Sequence, residues 1–287
     1  MSYETLALSI EDGIAHIELN RPERMNAMNR SFWGEMVRMF GEIDTDPSIR
    51  CVVISGRGRH FCSGLDLQEF AGLFQTSADI DPGRQREQLR RTILKMQESF
   101  NVIERCRVPV LAAVHGACIG GGVDLISACD CRYASADAFI SIQEINVGLT
   151  ADVGSLQRMP HLIPEGIVRE LTFTGERMGT ERAAQFGLWN DVSETRETLM
   201  ARVMEVARTI VSKAPLAVAG SKEMLNYTRD HTVGEGLNYV ATWNAAMLVN
   251  SDVQRAMTAA MTRSEAEFDD LYDDSEMLKK MTETDAA

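Results

Sequence analysis

Apolar and polar positions alternate along the first half of the chain in patterns that predict both strands and helices. Residues 14–19 alternate like a half-buried strand, whereas residues 51–56 and 108–116 are continuous apolar runs typical of buried strands. A long helix is predicted over residues 86–105, and an earlier one behind Ser31 as N-cap. That earlier helix has apolar residues at helical spacing: Phe32, Met36, Met39, Phe40 and Ile43. The alternation predicts an α/β core of parallel strands with crossover helices.

After about residue 164 the pattern changes to apolar residues spaced by three and four, which predicts helices. We therefore divide the chain into an α/β core (1–200), a C-terminal helical region (201–264) and an acidic tail (265–287) that we expect to be flexible. A stripe in the helical region is interpreted as core or subunit interface: Met224, Tyr227, Tyr239, Trp243 and Met247.

Charge and cysteine content narrow the function classes. The chain of 287 residues has 29 Lys and Arg against 42 Asp and Glu, a formal net charge of −13, so binding to nucleic acid or to an anionic membrane is disfavoured. The first residues lack the basic region of a secretion signal, and no uncharged apolar run reaches the ~20 residues that cross a bilayer. The six cysteines are scattered, which favours reduced, buried thiols over disulfides or a metal site. We expect a soluble intracellular protein.

Two loops are candidates for binding an anionic oxygen. Residues 60–67, HFCSGLDL, follow a predicted strand, and Gly120, Gly121 and Gly122 lie where another strand runs into a helix expected to begin near Val123. Each loop can present backbone N–H groups, and two such donors can stabilise one developing oxyanion. Taken singly, each loop is better explained as a tight turn, and only the pairing of the two favours a donor site. The glycines lack the spacing of a dinucleotide-binding motif.

The order of five motifs resembles that of the enoyl-CoA hydratase/isomerase (crotonase) family. The motifs are NRPERMNAM (20–28), FCSGLDL (61–67), HGACIGGGVDL (115–125), QEINVGLTADVGSLQRM (143–159) and FTGERMGTERAAQFGLWNDV (173–192). The resemblance implies a spiral of ββα units with C-terminal helices that assemble homotrimers or homohexamers. It also implies an acyl-CoA thioester substrate, whose carbonyl oxygen lies between the N–H groups of Leu65 and Gly121.

Three acids then become the candidate catalytic residues: Asp124, Glu144, which follows it by 20 residues, and Asp152, eight residues further on. Hydratases of the family use two glutamates at the first two positions and have glycine at the third. The present set instead resembles that of the Δ3,5-Δ2,4-dienoyl-CoA isomerases, which implies isomerisation of a 3,5-dienoyl-CoA to the 2,4-dienoyl isomer in fatty-acid β-oxidation.

The chemistry explains why more than one acid is useful. The isomerisation removes a proton from C2 and delivers one to C6, whereas one carboxylate reaches only ~3 Å, so Glu144 and Asp152 would act at the two ends. Apolar neighbours and mutual repulsion would keep one of the pair protonated. Asp124, in the first turn of a helix, is expected to be held ionised by the helix dipole. Which acid takes the C2 proton is left open, and Asp152 could instead be the N-cap of the following helix.

The remaining site residues are assigned by the resemblance to substrate and CoA binding. Arg24 and Asn26 correspond to a segment that approaches CoA, and Arg24 could equally be an exposed turn residue. Residues Ser63, Gly64, Leu65, Asp66 and Leu67, together with Gly121, are expected to line the substrate region. His115, Cys118 and Ser127 lack the elbow motif of a nucleophilic hydrolase, and His115 is expected to be packed.

Other functions stay open at this level. The alternatives are a 2-enoyl-CoA hydratase, a Δ3,Δ2-enoyl-CoA isomerase, or a non-catalytic family member that binds acyl-CoA or RNA. We expect no cofactor, since CoA is part of the substrate, and no metal. The C-terminal residues TDAA differ from a peroxisomal address, and no presequence is evident, so the sequence favours the cytoplasm, and a bacterial one.

Overall fold

A computed structural model of the chain describes residues 3–71 and 81–273. It has an α/β fold, as predicted, with a six-stranded sheet in the order β1-β2-β3-β4-β6-β9 and a three-stranded sheet in the order β5-β7-β8. The strands are β1 Leu6–Glu11, β2 Ile14–Leu19, β3 Cys51–Gly56, β4 Val110–Val114, β5 Ala117–Ile119, β6 Cys131–Ser135, β7 Phe139–Ser141, β8 Met178–Gly179 and β9 Asp191–Ser193.

Helices cover the sheet and form the C-terminal part of the chain. They are α1 Arg30–Thr45, α2 Leu67–Phe70, α3 Pro82–Arg105, α4 Gly121–Ala128, α5 Ser155–Arg158, α6 Glu165–Thr174, α7 Thr180–Gln185, α8 Arg196–Val211, α9 Pro215–Arg229, α10 Val233–Met247 and α11 Ser251–Thr262. Short 3₁₀ turns occur at Pro22–Arg24, Gln143–Val147 and Met159–His161. None of the helices in the described ranges is long and apolar enough to span a membrane.

The large sheet is parallel except at its first pair of strands. Strands β1 and β2 are antiparallel and are joined by Asp12 and Gly13, whose φ angles of 49° and 75° suit the two-residue hairpin loop that an Asp-Gly pair favours. From β2 onward each pair is parallel, which confirms the predicted crossover arrangement. Strands β3 and β4 are buried along their whole length, in agreement with their continuous apolar sequences.

Helix boundaries differ from the sequence expectation in three places. The N-cap of α1 is Asn29, whose side chain accepts a hydrogen bond from Phe32 N–H, whereas Ser31 lies inside the helix and donates to the Glu4 carboxylate. The predicted Ser31 cap is therefore wrong, because a longer-range partner competes for its hydroxyl. Helix α3 begins at Pro82 rather than at residue 86, and α4 begins at Gly121 rather than near Val123.

Helix α8 belongs to the core although it crosses the predicted boundary at residue 200. Leu199, Val203 and Ala207 are buried in one cluster with side chains of the central sheet, among them Val53 and Leu111. The apolar stripe of α8 therefore packs against the face of the sheet. The division into a core and a helical region remains a prediction, with α8 on the core side.

Residues 265–273 of the predicted tail lie against the core. Leu271 is buried, and the Arg50 guanidinium donates to Phe268 O and to the Asp270 carboxylate, with N···O distances of 2.7 and 2.8 Å. The expectation of a flexible tail does not describe this part, because an acidic composition does not reveal a basic partner far away in sequence. Residues 274–287 lie outside the described residues.

Truncating Val203 to Ala is expected to lower the free energy of unfolding by about 2 kcal/mol, since the removed methyl groups leave a cavity between α8 and the sheet. Val233→Ala is the matched control, because Val233 begins α10 and is 73% exposed; its effect should stay below about 0.5 kcal/mol. Chemical denaturation of both variants measures these free energies of unfolding. Equal losses would mean that α8 is not part of the cooperative core.

Candidate active site

A cleft of about 110 Å³ opens beside the glycine loops. Its walls come from α1, the loop after β3, α3, the end of β5 with the start of α4, and the segment that joins β7 to α5. The lining combines apolar side chains with two carboxyl groups and glycine backbone: Trp33, Ser63, Gly64, Leu65, Leu67, Met96, Ile119, Gly120, Gly121, Gln143, Glu144, Val147, Leu149, Thr150, Asp152 and Val153. An apolar cleft with a few polar groups is typical of a small-molecule site.

The residues that carry the two predicted N–H donors, Leu65 and Gly121, both line this cleft. Met28 N–H donates to Gly64 O and Asp66 N–H donates to Met28 O, so the N–H of Leu65, between them, points to the opposite side of the chain. Gly121 is the first residue of α4, where N–H groups have no partner within the helix. Neither N–H donates a hydrogen bond to any part of the chain that the structure describes.

Backbone packing between the two loops requires glycine. Gly64 has a φ of 86°, and a Cβ there would lie 3.0 Å from Ile119 O and 3.6 Å from Gly121 N. Its absence lets the loop carrying Leu65 approach the start of α4 closely. The geometry therefore supports a two-donor oxyanion site at Leu65 and Gly121.

Glu144 lies directly over the glycine turn. Gly120 has a φ of 51°, and a Cβ on it would lie 3.0 Å from Glu144 Oε1. The carboxyl is half-buried, and its Oε2 has no hydrogen-bond partner among the described residues. Burial raises the pKa of Glu144, and the nearby charge of Asp152 raises it further. This acid can therefore exchange a proton nearer neutrality than an ordinary glutamate can.

Asp152 reaches the same cleft from the segment before α5. The N-cap of α5 is Gly154, and no side chain caps this helix. Asp152 is therefore not the cap of α5. Asp152 remains exposed as a residue, yet partial burial of its carboxyl raises its pKa. The apolar run that contains Glu144 is less buried than its sequence suggests, since Ile145 and Val147 are 44% and 48% exposed.

Asp124 is fully buried and lies behind the cleft rather than among its lining residues. Its Oδ1 accepts a hydrogen bond of 2.5 Å from Ser155 N–H, while Oδ2 has no partner in the described residues. Burial, with the charge of Glu144 adding to it, raises the pKa of Asp124 to about 7. Desolvation of the buried carboxylate therefore opposes the expected effect of the helix dipole on Asp124, and its ionised state stays a prediction.

Asn26 and Asp66 serve the loops rather than the cleft. The Asn26 amide donates to the carbonyls of Arg57, His60 and Phe61, so it ties the segment 20–28 to the loop after β3. Asp66 caps α2 and pairs with Arg21 at 3.1 Å. Neither side chain is among the cleft-lining residues, and both are buried. Their predicted contact with substrate stays a prediction.

Arg24 lies on the surface, where its guanidinium donates to the Gln68 side chain at 3.3 Å. It is not one of the cleft-lining residues. Ser63, Gly64, Leu65, Leu67 and Gly121, by contrast, do line the cleft as predicted. The structure thus brings the backbone donors and two of the three acids together, and leaves Arg24 at the periphery.

Sequence reasoning missed the apolar walls and the partner of Asp124. Trp33 and Met96 line the cleft from α1 and α3, where they read only as members of helical stripes. Ser155, whose N–H binds Asp124, carries no signal in the sequence because the contact joins residues 31 apart. Only the packing of α4 against α5 brings the two together.

The cysteines and histidines that suggested other chemistry have structural roles. All six cysteines are free thiols, five of them buried, and burial raises the pKa of Cys62 to about 12. His115 is buried, with its Nε2 3.0 Å from Gly58 O, which fits the predicted packed histidine. In residues 3–71 and 81–273, no group of three or more His, Cys, Asp or Glu side chains could hold a metal.

A family model described as enoyl-CoA hydratase/isomerase matches residues 9–271. The chain belongs to that family. A solved enoyl-CoA hydratase from Bacillus anthracis aligns with a TM-score of 0.84 at 26% identity over 93% of this chain and 99% of that one. An enoyl-CoA hydratase structure from Geobacillus kaustophilus gives 0.81 at 29% identity, with 93% and 98% covered.

Curated family relatives are more similar in sequence. The mouse protein named Delta(3,5)-Delta(2,4)-dienoyl-CoA isomerase, mitochondrial, is 47% identical over 91% of this chain and 81% of its own length. The Arabidopsis thaliana protein of the same activity, named as peroxisomal, is 42% identical over 93% and 98%. A crotonyl-CoA hydratase from Syntrophomonas wolfei is 30% identical over 93% and 99%.

These names correct the expected location. The prediction of a cytoplasmic, bacterial enzyme is wrong, because the relatives at 42–47% identity are named as mitochondrial or peroxisomal proteins of eukaryotes. The prediction rested on missing address signals at the two ends. Such signals are read by receptors and leave no mark on the fold, so their absence carries no information about the compartment.

Asp124→Asn tests the electrostatics of this family member's site. In the folded protein the pKa of Asp124 is raised from 3.8 to about 7. The folded state therefore binds this proton more tightly than the unfolded state does, and the protein loses stability as the pH rises between the two values. The loss reaches about 4 kcal/mol, at ~1.4 kcal/mol per pKa unit. Asparagine stays neutral and can still accept from Ser155 N–H. The variant should therefore match the wild type near pH 4 and exceed it above about pH 7, as measured by denaturation at several pH values. If the stability of the two proteins changed with pH in parallel, the raised pKa of Asp124 would be contradicted.

Proposed function

We propose that this protein isomerises 3,5-dienoyl-CoA to 2,4-dienoyl-CoA in fatty-acid β-oxidation. The observation that carries the proposal is the cleft itself: Glu144 and Asp152 line it together with the two backbone donors, while Asp124 is withdrawn behind it. Relatives of 42–47% identity that bear the name of this isomerase support the same reaction. No cofactor enters the proposed reaction, because the CoA is part of the substrate.

The thioester carbonyl oxygen would accept hydrogen bonds from Leu65 N–H and Gly121 N–H. Removal of a C2 proton places negative charge on that oxygen, and two fixed donors stabilise the resulting enolate more than the starting thioester. Loss of one such donor typically costs about 3 kcal/mol in the transition state. The acyl chain would then lie along the apolar wall formed by residues such as Trp33 and Met96.

Glu144 is the proposed base at C2. Its Oε1 lies over Gly120, the residue directly before the donor Gly121, so it faces the carbonyl end of the cleft. C2 is bonded to the carbonyl carbon and therefore lies at this end. When the C2–H bond breaks, its electron pair forms the enolate, and the proton goes to the Glu144 carboxylate. As the carbonyl re-forms, that pair becomes the C2=C3 bond and the C3=C4 pair moves to C4=C5.

Asp152 is the proposed acid at C6. In an extended chain C6 lies about 5 Å from C2, given carbon–carbon bonds near 1.5 Å, which is beyond the reach of the carboxyl that serves C2. The electron pair of C5=C6 takes the proton from Asp152, and double bonds remain at C2 and C4. Glu144 then holds a proton that Asp152 has given up, and the pair must reset before the next turnover.

Hydration is the competing reaction, and the position of Asp124 argues against it. A hydratase would need two acids that both reach the added water, and the resemblance puts the first of them at position 124. Asp124 does not line the cleft, and one of its oxygens is already bound by Ser155 N–H. Asp152 does line the cleft, where it can deliver a proton to a distant carbon.

A homotrimer or homohexamer is the proposed assembly. The C-terminal helices expose large apolar side chains in the isolated chain, including Leu225 at 74%, Leu237 at 63% and Leu248 at 59%. Exposed patches of this kind are typical of subunit interfaces. Light scattering coupled to size exclusion should give three or six times 31.8 kDa. A monomer at micromolar concentration would refute the assembly without touching the activity.

The decisive experiment follows formation of the conjugated 2,4-dienoyl chromophore from a 3,5-dienoyl-CoA. Glu144→Gln and Asp152→Asn should each lower kcat by about 10²- to 10⁴-fold, since each removes one proton-transfer group. Glu176→Gln is the matched control, because Glu176 is exposed and lies outside the cleft; it should retain full activity.

Hydration of a 2-enoyl-CoA is measured in parallel with the same proteins. Poor hydration with fast isomerisation agrees with the proposal. Fast hydration by a wild type that does not isomerise would identify the protein as a hydratase instead. Fast hydration by an Asp152→Asn variant that is as active as the wild type would lead to the same conclusion.

A further inference from the structure

Asp152 is placed by a segment with few hydrogen bonds of its own. Between the N–H of Leu149, which donates to Glu144 O, and the first turn of α5, the described chain makes no backbone–backbone hydrogen bond through the N–H groups of residues 150–154. Two side chains hold this segment instead. One is Asp124, which binds Ser155 N–H, and the other is Gln97.

Gln97 binds the catalytic candidate's own main chain. Its Nε2 donates to Asp152 O with an N···O distance of 2.7 Å. Gln97 also lines a second, polar cleft with Gln157 and His161 on the far side of Asp152, so it contacts Asp152 from outside the substrate cleft. It is not among the residues that line the substrate cleft.

Helix α3 gives Gln97 a rigid base. Ser99, two residues on, is fully buried and donates its hydroxyl to Trp33 O at 2.8 Å, and Phe100 packs against Trp33 with ring centroids 5.7 Å apart. Trp33 and Met96 of this same packed unit form a wall of the substrate cleft. A bond from Gln97 to Asp152 therefore fixes the acid relative to the wall along which the acyl chain would lie.

We infer that Gln97 is a positioning residue that sets the reach of Asp152 toward the distal carbon of the acyl chain. The inference rests on the proposed isomerisation and deepens it. Proton transfer needs the carboxyl within hydrogen-bond distance of the reacting carbon, and a displacement of about 1 Å can cost about 10²-fold in rate. A tether on the main chain of the acid controls that displacement without touching the substrate.

The test is Gln97→Ala with Gln157→Ala as its matched control. Gln157 has the same side chain and lines the same outer cleft, and no hydrogen bond of its side chain to the described residues is found. Gln97→Ala should lower kcat by about 10- to 100-fold, leave KM within about twofold and leave the Tm nearly unchanged. Gln157→Ala should leave all three values at the wild-type level.

Two further variants separate positioning from general damage. Gln97→Glu keeps the shape but, when ionised, cannot donate to Asp152 O, so near neutral pH it should be as slow as Gln97→Ala. In an Asp152→Asn background, Gln97→Ala should have almost no additional effect on kcat, because a residue that acts through Asp152 loses its influence once the acid is gone. A purely structural role would lower activity by the same factor in both backgrounds.

Failure of this inference can be distinguished from failure of the proposed function. If the wild type does not isomerise a 3,5-dienoyl-CoA, the proposed function fails, and this inference falls with it. If the wild type is active and Gln97→Ala behaves like Gln157→Ala, or if its effect persists in the Asp152→Asn background, the inference alone is overturned.

Discussion

The backbone pairing between two loops is the constraint on which the site depends. Cys62 N–H donates to Ala117 O and Ile119 N–H donates to Cys62 O, which forms a parallel bridge between the loop after β3 and strand β5. This bridge continues the parallel order of the sheet into the loops and carries Leu65 to the start of α4. Two N–H groups from segments more than fifty residues apart can then face one oxygen, without any reorganisation when charge develops there.

Burial is graded across the three acids. Asp124 has no exposed surface and is tied to Ser155, Glu144 is half-buried over the glycine turn, and Asp152 stands at the edge of the cleft. Desolvation is the largest cause of the raised pKa of each of these carboxyls. Repulsion between neighbouring carboxylates adds to it, so a state with all three ionised is disfavoured. Each of these carboxyls therefore takes up a proton more readily than an isolated carboxyl does.

Support for these acids comes from residues that never face the cleft. Asp124 and Gln97 hold the segment of Asp152 from two directions, and Asn26 holds the loop that leads to Leu65. Each does so through a hydrogen bond to main chain, which fixes position without adding a charge to the cleft. The precision of the site therefore depends on the rigidity of α3 and α4, whose buried faces are packed into the core.

The sequence by itself determined strands β2, β3 and β4, the glycine loops and the spacing of the acids, because these follow from local patterns of burial and backbone conformation. Apolar runs predicted β3 and β4, and the motif order predicted the family and the cleft residues from Ser63 to Leu65. Only the tertiary structure decided which side of the cleft wall each polar residue occupies. Asp124 and Asn26 are as polar as Asp152 in the sequence, yet the packing of distant elements buries the first two and leaves the third at the cleft. Partners such as Ser155 and Gln97 are set by those long-range contacts, and local periodicity carries no record of them.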